Sequence, residues 1–274
     1  MRQFSVCTSV YKNDSAEFIR IALDSMLLYQ SVKPNEIVLV QDGPVPYEIS
    51  QLLIDYKDKY GDIINVIKLA ENKGLGNALK LGVENAKYSL VARMDSDDIC
   101  LLDRFEKELK YLDEHPECDI VGGQMTEFVD NPENIVGKRE VPLTNEEIYA
   151  YMKSRCGLNH VTVMFRKEAV LRAGNYQDWF WNEDYYLWVR MMMVGSHFAN
   201  LPDVLVNVRS GTDQYARRGG MKYYKSEKDI QKLMRDNGLI SWPRYCFNVL
   251  VRWSVQVAMP NWLRGFVFQK LFRH

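Results

Sequence analysis

Apolar positions recur along the first hundred residues in two alternating rhythms. Phe4–Val10 is short, β-branched and mostly apolar, which predicts a first strand. Ile19, Leu23, Met26 and Leu27 follow at helical spacing, with Asp14 or Ser15 as the N-cap of that helix. Residues 36–40 form an apolar run of the kind buried on both faces of a parallel sheet, and it stops at Gln41-Asp42-Gly43-Pro44. Ile49, Leu52, Leu53, Tyr56 and Tyr60 mark a second amphipathic helix. Residues 62–68 predict a third strand. A helix over 73–86 uses Leu75, Ala78, Leu79, Gly82 and Val83 as its inner face, and a fourth strand covers 88–94. This β-α alternation predicts an α/β fold with a mostly parallel central sheet and helices on both faces.

Further along, Leu102, Phe105, Leu109 and Leu112 mark another helix, and residues 119–129 read as strand. Residues 130–142, rich in Asn, Pro and charge, read as loop. Thr144-Asn-Glu-Glu147 fits a capping box at the start of a helix over 144–154. Residues 160–166 predict a strand, 167–173 a short helix ended by Gly174, and 183–194 a helix with Leu187, Met191 and Val194 on one face. One or two strands fall in 197–209, then a Gly- and Arg-rich loop, then a helix over 221–237. No internal repeat or low-complexity linker interrupts the chain.

The fourth strand runs directly into Asp95-Ser96-Asp97-Asp98. Like charges at the edge of a core are unfavourable unless a positive group joins them. Carboxylate oxygens of this kind suit Mg²⁺ or Mn²⁺. If the backbone stays extended, Asp95 and Asp97 share one face and Asp98 turns to the other. The competing reading is an acidic turn capping the next helix. In parallel α/β sheets, ligands bind at the carboxyl ends of strands. Tyr11 and Asp14 sit there after the first strand, Asp42 after the second, Asn72 and Lys73 after the third. Asp42 is placed to accept from a base N–H, or to serve as a turn residue in Asp-Gly-Pro. Lys73-Gly-Leu-Gly76 opens a helix without the spacing of a dinucleotide or P-loop fingerprint, and Gly76 reads as close packing under a bound nucleotide.

Glu183-Asp184 follows Trp179-Phe-Trp181-Asn182. Asn182 capping two first-turn acids is one reading. A general base in an aromatic-walled cleft, with Trp181 suited to stack on a sugar ring, is the other. Arg209, Arg217 and Arg218 belong to a cationic segment able to close over phosphates or simply to be solvated. His160 reads as a hydrogen-bonded core histidine or a site residue.

Composition narrows the field without naming a chemistry. The 274 residues are 47% hydrophobic and 26% charged with net charge −1, so nothing pulls the chain toward nucleic acid. Five cysteines, scattered without metal or disulfide spacing, predict reduced thiols and a cytoplasmic setting. No signal peptide precedes Phe4, and no apolar run is long enough to span a membrane. From residue 239 to the end there are five Lys or Arg and no Asp or Glu. With Trp242, Trp253 and Trp262 among them, that stretch predicts a membrane-surface element or a helix packed on the domain or on a partner chain.

Taken together, Ser9-Val-Tyr11, Gln41-Asp-Gly43, Asn72-Lys-Gly-Leu-Gly-Asn-Ala78, Arg93-Met-Asp-Ser-Asp-Asp98, Asn159-His160 with Met164-Phe-Arg166, and Asn182-Glu-Asp-Tyr-Tyr-Leu-Trp188 occur in the order seen in family 2 glycosyltransferases. The chain resembles these inverting GT-A enzymes over about residues 4 to 220, and its later part resembles the branch that builds bacterial exopolysaccharide. The resemblance implies a catalytic domain over 1–212, with a nucleotide-binding half (1–98) and an acceptor half (99–212). A mobile basic loop and helical amphipathic region would follow over 213–274. It implies that Tyr11 and Asp42 contact a nucleobase, typically uracil, with Asp14, Asn72, Lys73, Gly76 and Ser96 lining the donor site. Asp95 would reach ribose or metal, Asp97 would bind the metal, and Arg93 would lie near the diphosphate or sugar. Asp184 matches the catalytic base, with Glu183 its neighbour; Asp98 is left as structural. His160, Trp181, Arg209, Arg217 and Arg218 would serve acceptor or diphosphate. Related enzymes often supply a late His to the metal, and Val206-Asn-Val-Arg209 supplies none. The implied donor is a nucleotide sugar, a UDP-sugar, and the implied acceptor a saccharide or polyprenyl-diphosphate-linked glycan at the cytoplasmic face of the inner membrane. A sugar nucleotidyltransferase would need a Gly-rich, Arg-containing loop after the first strand, which residues 11–15 do not provide. A non-catalytic glycan-binding module would not need the acids at 95, 97 and 184.

Overall fold

In the computed structural model, which describes residues 2–211 and 219–259, the first hundred residues follow the predicted alternation. β1 (Phe4–Val10), β2 (Glu36–Gln41), β3 (Ile64–Lys68) and β4 (Leu90–Arg93) are linked by α1 (Ala16–Leu27), α2 (Tyr47–Tyr60) and α3 (Leu75–Asn85). β1 pairs in parallel with both β2 and β4, and β2 pairs in parallel with β3. The chain therefore steps outward from β1 to β3 and returns to the other side of β1. That reversal creates a crevice at the carboxyl ends of β1 and β4, where α/β sheets bind ligands.

The remaining elements are β5 (Ile99–Cys100), α4 (Arg104–Glu114), β6 (Ile120–Phe128), β7 (Ile135–Arg139), α5 (Asn145–Met152), β8 (Met164–Arg166), α6 (Lys167–Arg172), α7 (Glu183–Met193), β9 (Phe198–Arg209), α8 (Met221–Asp236) and α9 (Trp242–Trp253). They extend the same sheet to nine strands in the order β3-β2-β1-β4-β8-β6-β9-β5, with β7 on β6. β8 is antiparallel to both β4 and β6, whereas β6 and β9 run parallel. The parallel character expected of the sheet thus belongs to its first half, and the second half is mixed.

Side chains alternate between two cores. Phe4, Val6, Ile37, Leu39, Leu90 and Ala92 pack with α1, α2 and α4 on one face. Cys7, Val38, Val91 and Phe165 pack with α3, α5, α6, α7 and α8 on the other. Period-2 strands covered on both faces read as continuous apolar runs, which is why the strand positions were visible in the sequence. The Thr144–Glu147 capping box forms as expected. The loop expected over 130–142 instead contains β7, an antiparallel partner of the far end of β6. Only Gly137 of its five residues is buried, so it carries no periodic apolar signal. The strand expected at 160–166 begins as a 3-10 turn over His160–Thr162 and is strand only from Met164. β9 is one strand with a register shift against β6, at the level of Pro202. A proline cannot donate to the ladder and sits where pairing is already interrupted.

One buried ion pair ties the halves together at the crevice. Arg104 and Glu108 on α4 are both fully buried and pair at 3.3 Å. The Arg104 guanidinium also donates to the Arg93 carbonyl at 2.7 Å and the Val163 carbonyl at 3.4 Å, fixing the end of β4 to the strand beside it. Removing one member of such a pair leaves an uncompensated buried charge. Arg104→Ala should therefore lower unfolding stability by about 3–5 kcal/mol, read as a fall in the denaturant midpoint at unchanged slope; a loss near zero would show that α4 does not hold the strand end.

Candidate active site

At the end of β4 the backbone leaves the extended conformation, and residues 96–98 form a bend. Alternation no longer applies, so the expectation that Asp98 points away from Asp95 and Asp97 is not met. One carboxylate oxygen from each of the three lies within 4.8 Å of the others. Asp98 is buried, and its Oδ1 accepts the Arg209 backbone N–H at 2.8 Å. Its Oδ2 is buried with no hydrogen-bond partner. Burial, then repulsion from Asp95 and Asp97, pushes the Asp98 carboxyl well above the usual range. Desolvation in the crevice, then the charges of Asp95 and Asp14, raise Asp97 to about 6. Two acids that resist ionisation beside an orphaned carboxylate oxygen fit a divalent cation with hard oxygen ligands. Asp95, Asp97 and Asp98 are the residues that would hold it.

Two arginines frame this cluster differently. Arg93 is buried at the last position of β4 and pairs with Asp95 at 2.5 Å. Arg209 ends β9 beneath the bend. Its Nε donates to the Asp97 carbonyl at 3.2 Å, and its guanidinium lies 3.8 Å from the Phe18 ring and 4.7 Å from the Phe128 ring. Arg209 thus shapes the bend through backbone carbonyls and aromatic contacts. Arg217 and Arg218 lie outside the described residues.

The switch point brings the first and fourth strands' polar residues together as topology predicts. Asp14 Oδ2 accepts from Ser96 Oγ at 3.1 Å and from the Tyr11 backbone N–H at 3.0 Å. Burial raises Asp14 to about 6. Ser15, not Asp14, caps α1 through the Phe18 N–H. Tyr11 is 38% exposed at the mouth of the crevice. Asp42 is buried, and both of its oxygens are engaged: Oδ1 by the Lys73 N–H at 2.7 Å, Oδ2 by the Gly74 N–H at 3.0 Å and the Asn72 amide at 2.9 Å. It clamps the loop that opens α3, and a Cβ on the adjacent Gly43 would sit 2.6 Å from the Asn72 nitrogen. The Lys73 side chain lies 3.8 Å from Glu71 at the surface. A Cβ on Gly76 would sit 2.4 Å from the Gln177 carbonyl, so the glycine permits the close approach of the segment leading to α7.

Glu183 and Asp184 form the first turn of α7 across the crevice. Burial, then the Asp184 charge, raises Glu183 to about 7, and Arg93 and Asp95 act on it with opposite signs. The acids of α7 and of the β4 bend therefore share one electrostatic neighbourhood. Asn182 holds the N-cap position with Glu183 and Asp184 in the first turn as expected, but its side chain makes no cap bond and donates to Ser226 Oγ on α8 at 3.1 Å. Ser226 in turn donates to the Phe180 carbonyl at 2.7 Å and accepts the Trp179 indole N–H at its own carbonyl at 3.2 Å. This network pins residues 179–182, where Trp181 adopts φ +55° with its ring half exposed and stacked on Phe180 at 4.7 Å. A bulky residue at positive φ is strained and persists only where its surroundings hold it. His160 donates to or accepts from the Tyr176 hydroxyl at 2.9 Å, and burial and Arg93 hold its imidazole well below the usual pKa. It is a neutral supporting group behind Arg93. Tyr176, Ser226 and Arg104 carry no sequence signal of a site role, because each acts through an element distant in the chain.

Comparison with known proteins follows the same lines. Residues 5–180 match the model of glycosyl transferase family 2. The amylovoran biosynthesis glycosyltransferase AmsE of Erwinia amylovora is 37% identical over 270 residues, covering 97% of this chain and 98% of that protein. A UDP-Gal:alpha-D-GlcNAc-diphosphoundecaprenol beta-1,3-galactosyltransferase of Escherichia coli is 33% identical over 273 residues, covering 99% of this chain and 97% of that one. Among solved structures, S. aureus TarS 1-349 in complex with UDP-GlcNAc superposes with a TM-score of 0.67 at 17% identity, covering 97% of this chain and 81% of that one.

The close approach at Gly76 gives a direct test of how the site is held. Gly76→Ala should cost about 1–3 kcal/mol of stability by overpacking against the Gln177 backbone, and should weaken turnover more than nucleotide binding because it displaces the segment carrying Trp181 and α7. Calorimetry with parallel nucleotide titration reads both; wild-type turnover would remove Gly76 from the site's support.

Proposed function

The chain belongs to glycosyl transferase family 2 and is a GT-A transferase, and on that premise we propose that it moves a sugar, with inversion, from a UDP-sugar to a lipid-linked saccharide in bacterial surface polysaccharide synthesis. The observation that carries this reading is the carboxylate cluster at the β1/β4 switch point facing the acids at the N-terminus of α7. Residues 1–98 form the donor half, with Tyr11 at its mouth and Asp42 holding the loop beside it. Residues 99–212 form the acceptor half, with Trp181 as a platform for a sugar ring. The E. coli relative named for a diphosphoundecaprenol acceptor supports a lipid-linked acceptor, met at the cytoplasmic face of a membrane.

The reaction is a single in-line displacement. The acceptor oxygen bonds to the anomeric carbon as the bond from that carbon to the diphosphate oxygen breaks, and Asp184 takes the acceptor proton. A divalent cation held by Asp95, Asp97 and Asp98 would neutralise charge on the leaving diphosphate. Arg93, buried and paired with Asp95, orients that carboxylate toward the crevice. The dipole of α7 favours the ionised form of the acids in its first turn, while burial of Glu183 opposes it.

Asp184→Asn should lower transfer by at least about a hundredfold while UDP titration stays near wild type; wild-type turnover would sink the assignment. The pH profile separates the two acids. Glu183 keeps its proton until about pH 7, so the pair gains its second charge only as pH rises through that value, and transfer should climb over the same interval. Glu183→Gln removes that titration, so the rise near pH 7 should vanish from the profile; a retained rise would mean Glu183 does not set it. Asp97→Ala should weaken Mn²⁺-dependent UDP binding by more than about tenfold, as read by isothermal titration with and without chelator. Equal affinity with and without chelator in the wild type would remove the cation from the donor site.

A further inference from the structure

α9 is an amphipathic helix that packs inside out. Its polar residues face the protein: Asn248 donates to the Lys153 carbonyl at 2.9 Å and to Gln231 Oε1 at 2.7 Å. Arg252 donates to the Ser154 carbonyl at 2.6 Å and pairs with Glu227 at 3.0 Å. Asn248 and Arg252 are the buried residues of the helix. The apolar ones face outward, with Trp242, Phe247, Leu250, Val251 and Trp253 between 43% and 62% exposed. At 100° per residue these five fall on one half of the helix circumference, with exposed Arg244 at its border. A surface helix of a soluble domain is built the other way round.

From the arrangement of α9 we infer that this face lies in the plane of an anionic lipid bilayer. Three features select lipid over a protein partner. A Trp stands at each end of the helix, where amphipathic rings settle at the headgroup level, with Phe247 and Leu250 between them. α9 bears exposed Arg244 and no acid, and the sequence after it adds Arg264, Lys270 and Arg273 with no Asp or Glu, matching the negative potential of a lipid surface. A two-fold pairing with a second copy would instead bring Arg244 to a helix that carries no acid to pair with it. No helix among the described residues is long and apolar enough to cross a membrane, so the contact is in-plane.

The position of the helix gives the contact a purpose. The segment following α9 returns to the start of α8, where the Gly220 N–H donates to the Gln256 carbonyl at 2.9 Å and Gln256 donates to Glu227 at 2.6 Å. Tyr223, one turn from Glu227, lies 6.4 Å from the Trp181 ring. The lipid-facing helix is thus anchored beside the acceptor side of the crevice. Docking there would hold the crevice at the headgroup level, where a diphosphate-linked sugar stands; only this last step rests on the acceptor reading above.

Flotation of the full chain with vesicles tests the face itself, without catalysis. Wild type should float with vesicles of mixed phosphatidylcholine and phosphatidylglycerol and much less with phosphatidylcholine alone. Phe247→Glu with Leu250→Glu should reduce the bound fraction at least about tenfold, with an unchanged thermal midpoint because both side chains are exposed. A bimane dye on Cys246, exposed on the same helix, should shift to the blue only with anionic vesicles. Undiminished flotation of the double variant, or an unshifted dye, would overturn the proposal. So would a wild-type dimer in sedimentation equilibrium that the double variant dissolves while neither protein floats. Donor hydrolysis by the wild type in vesicle-free buffer is a separate readout: its absence would count against the enzyme reading, not against the docking face.

Discussion

Like-charge crowding at the end of β4 is the constraint around which the rest of the site is arranged. Asp95, Asp97 and Asp98 converge within a few ångströms, and Asp14 reaches the same place through Ser96. In water such a cluster would splay apart; here Asp95, Asp98 and Asp14 are tethered. Asp95 is held by buried Arg93, Asp98 by the Arg209 backbone, and Asp14 by the turn after β1. The residual cost appears as carboxyls pushed upward by burial and mutual repulsion. A protein that spends stability in this way has a site that is better satisfied with a cation bound than without one.

The tethers are themselves anchored at long range. The Arg93 guanidinium can sit buried because Asp95 pairs with it; Arg104 holds the Arg93 carbonyl, and Arg104 can sit fully buried because Glu108 lies one turn away on the same helix. Burial raises Glu108 to about 7 even with Arg104 beside it pulling the other way, so its charge depends on Arg104 as much as the reverse. Such a pair contributes little net stability compared with an apolar pair of the same shape. Its value here is geometric: it fixes where the strand stops, and the strand's stopping point turns Asp98 inward.

That stopping point also marks where sequence reasoning loses its grip. The β-α alternation, the switch-point residues, the capping box and the grouping of acids at 95–98 and 183–184 were all legible, because periodicity and topology are local or follow from general rules. The orientation of Asp98 was not, since it depends on the strand ending at Arg93, two residues before the first acid. Asn182 looked like a cap because its position is right; its side chain is drawn away by Ser226, 44 residues later. β7 escaped notice because an edge strand with one buried residue has no pattern. Gly76 also meets the chain's own backbone at Gln177, which its place at the opening of α3 does not announce. For Asn182 and Gly76 a contact between distant segments adds what a reading sound at its own range could not contain.

α9 shows the same limit in its sharpest form. Hydrophobic periodicity reports that a helix has two faces, and it assigns the apolar one to the protein interior by default. Which face turns inward is decided by what the body offers. Here the body offers carbonyls at Lys153 and Ser154, the Gln231 amide and the Glu227 carboxylate, all polar. A helix lying on such a surface must bring amide and guanidinium groups to satisfy it, since an unpaired buried carboxylate or carbonyl costs more than an exposed Leu. The apolar face is then left outside by elimination. The same polar groups that appear to interrupt an apolar segment, Asn248 and Arg252, are the ones that orient it, and their contacts run through α8 to the loop that holds Trp181. Attachment of the helix and placement of Trp181 therefore meet at two neighbouring residues of α8, Glu227 and Ser226.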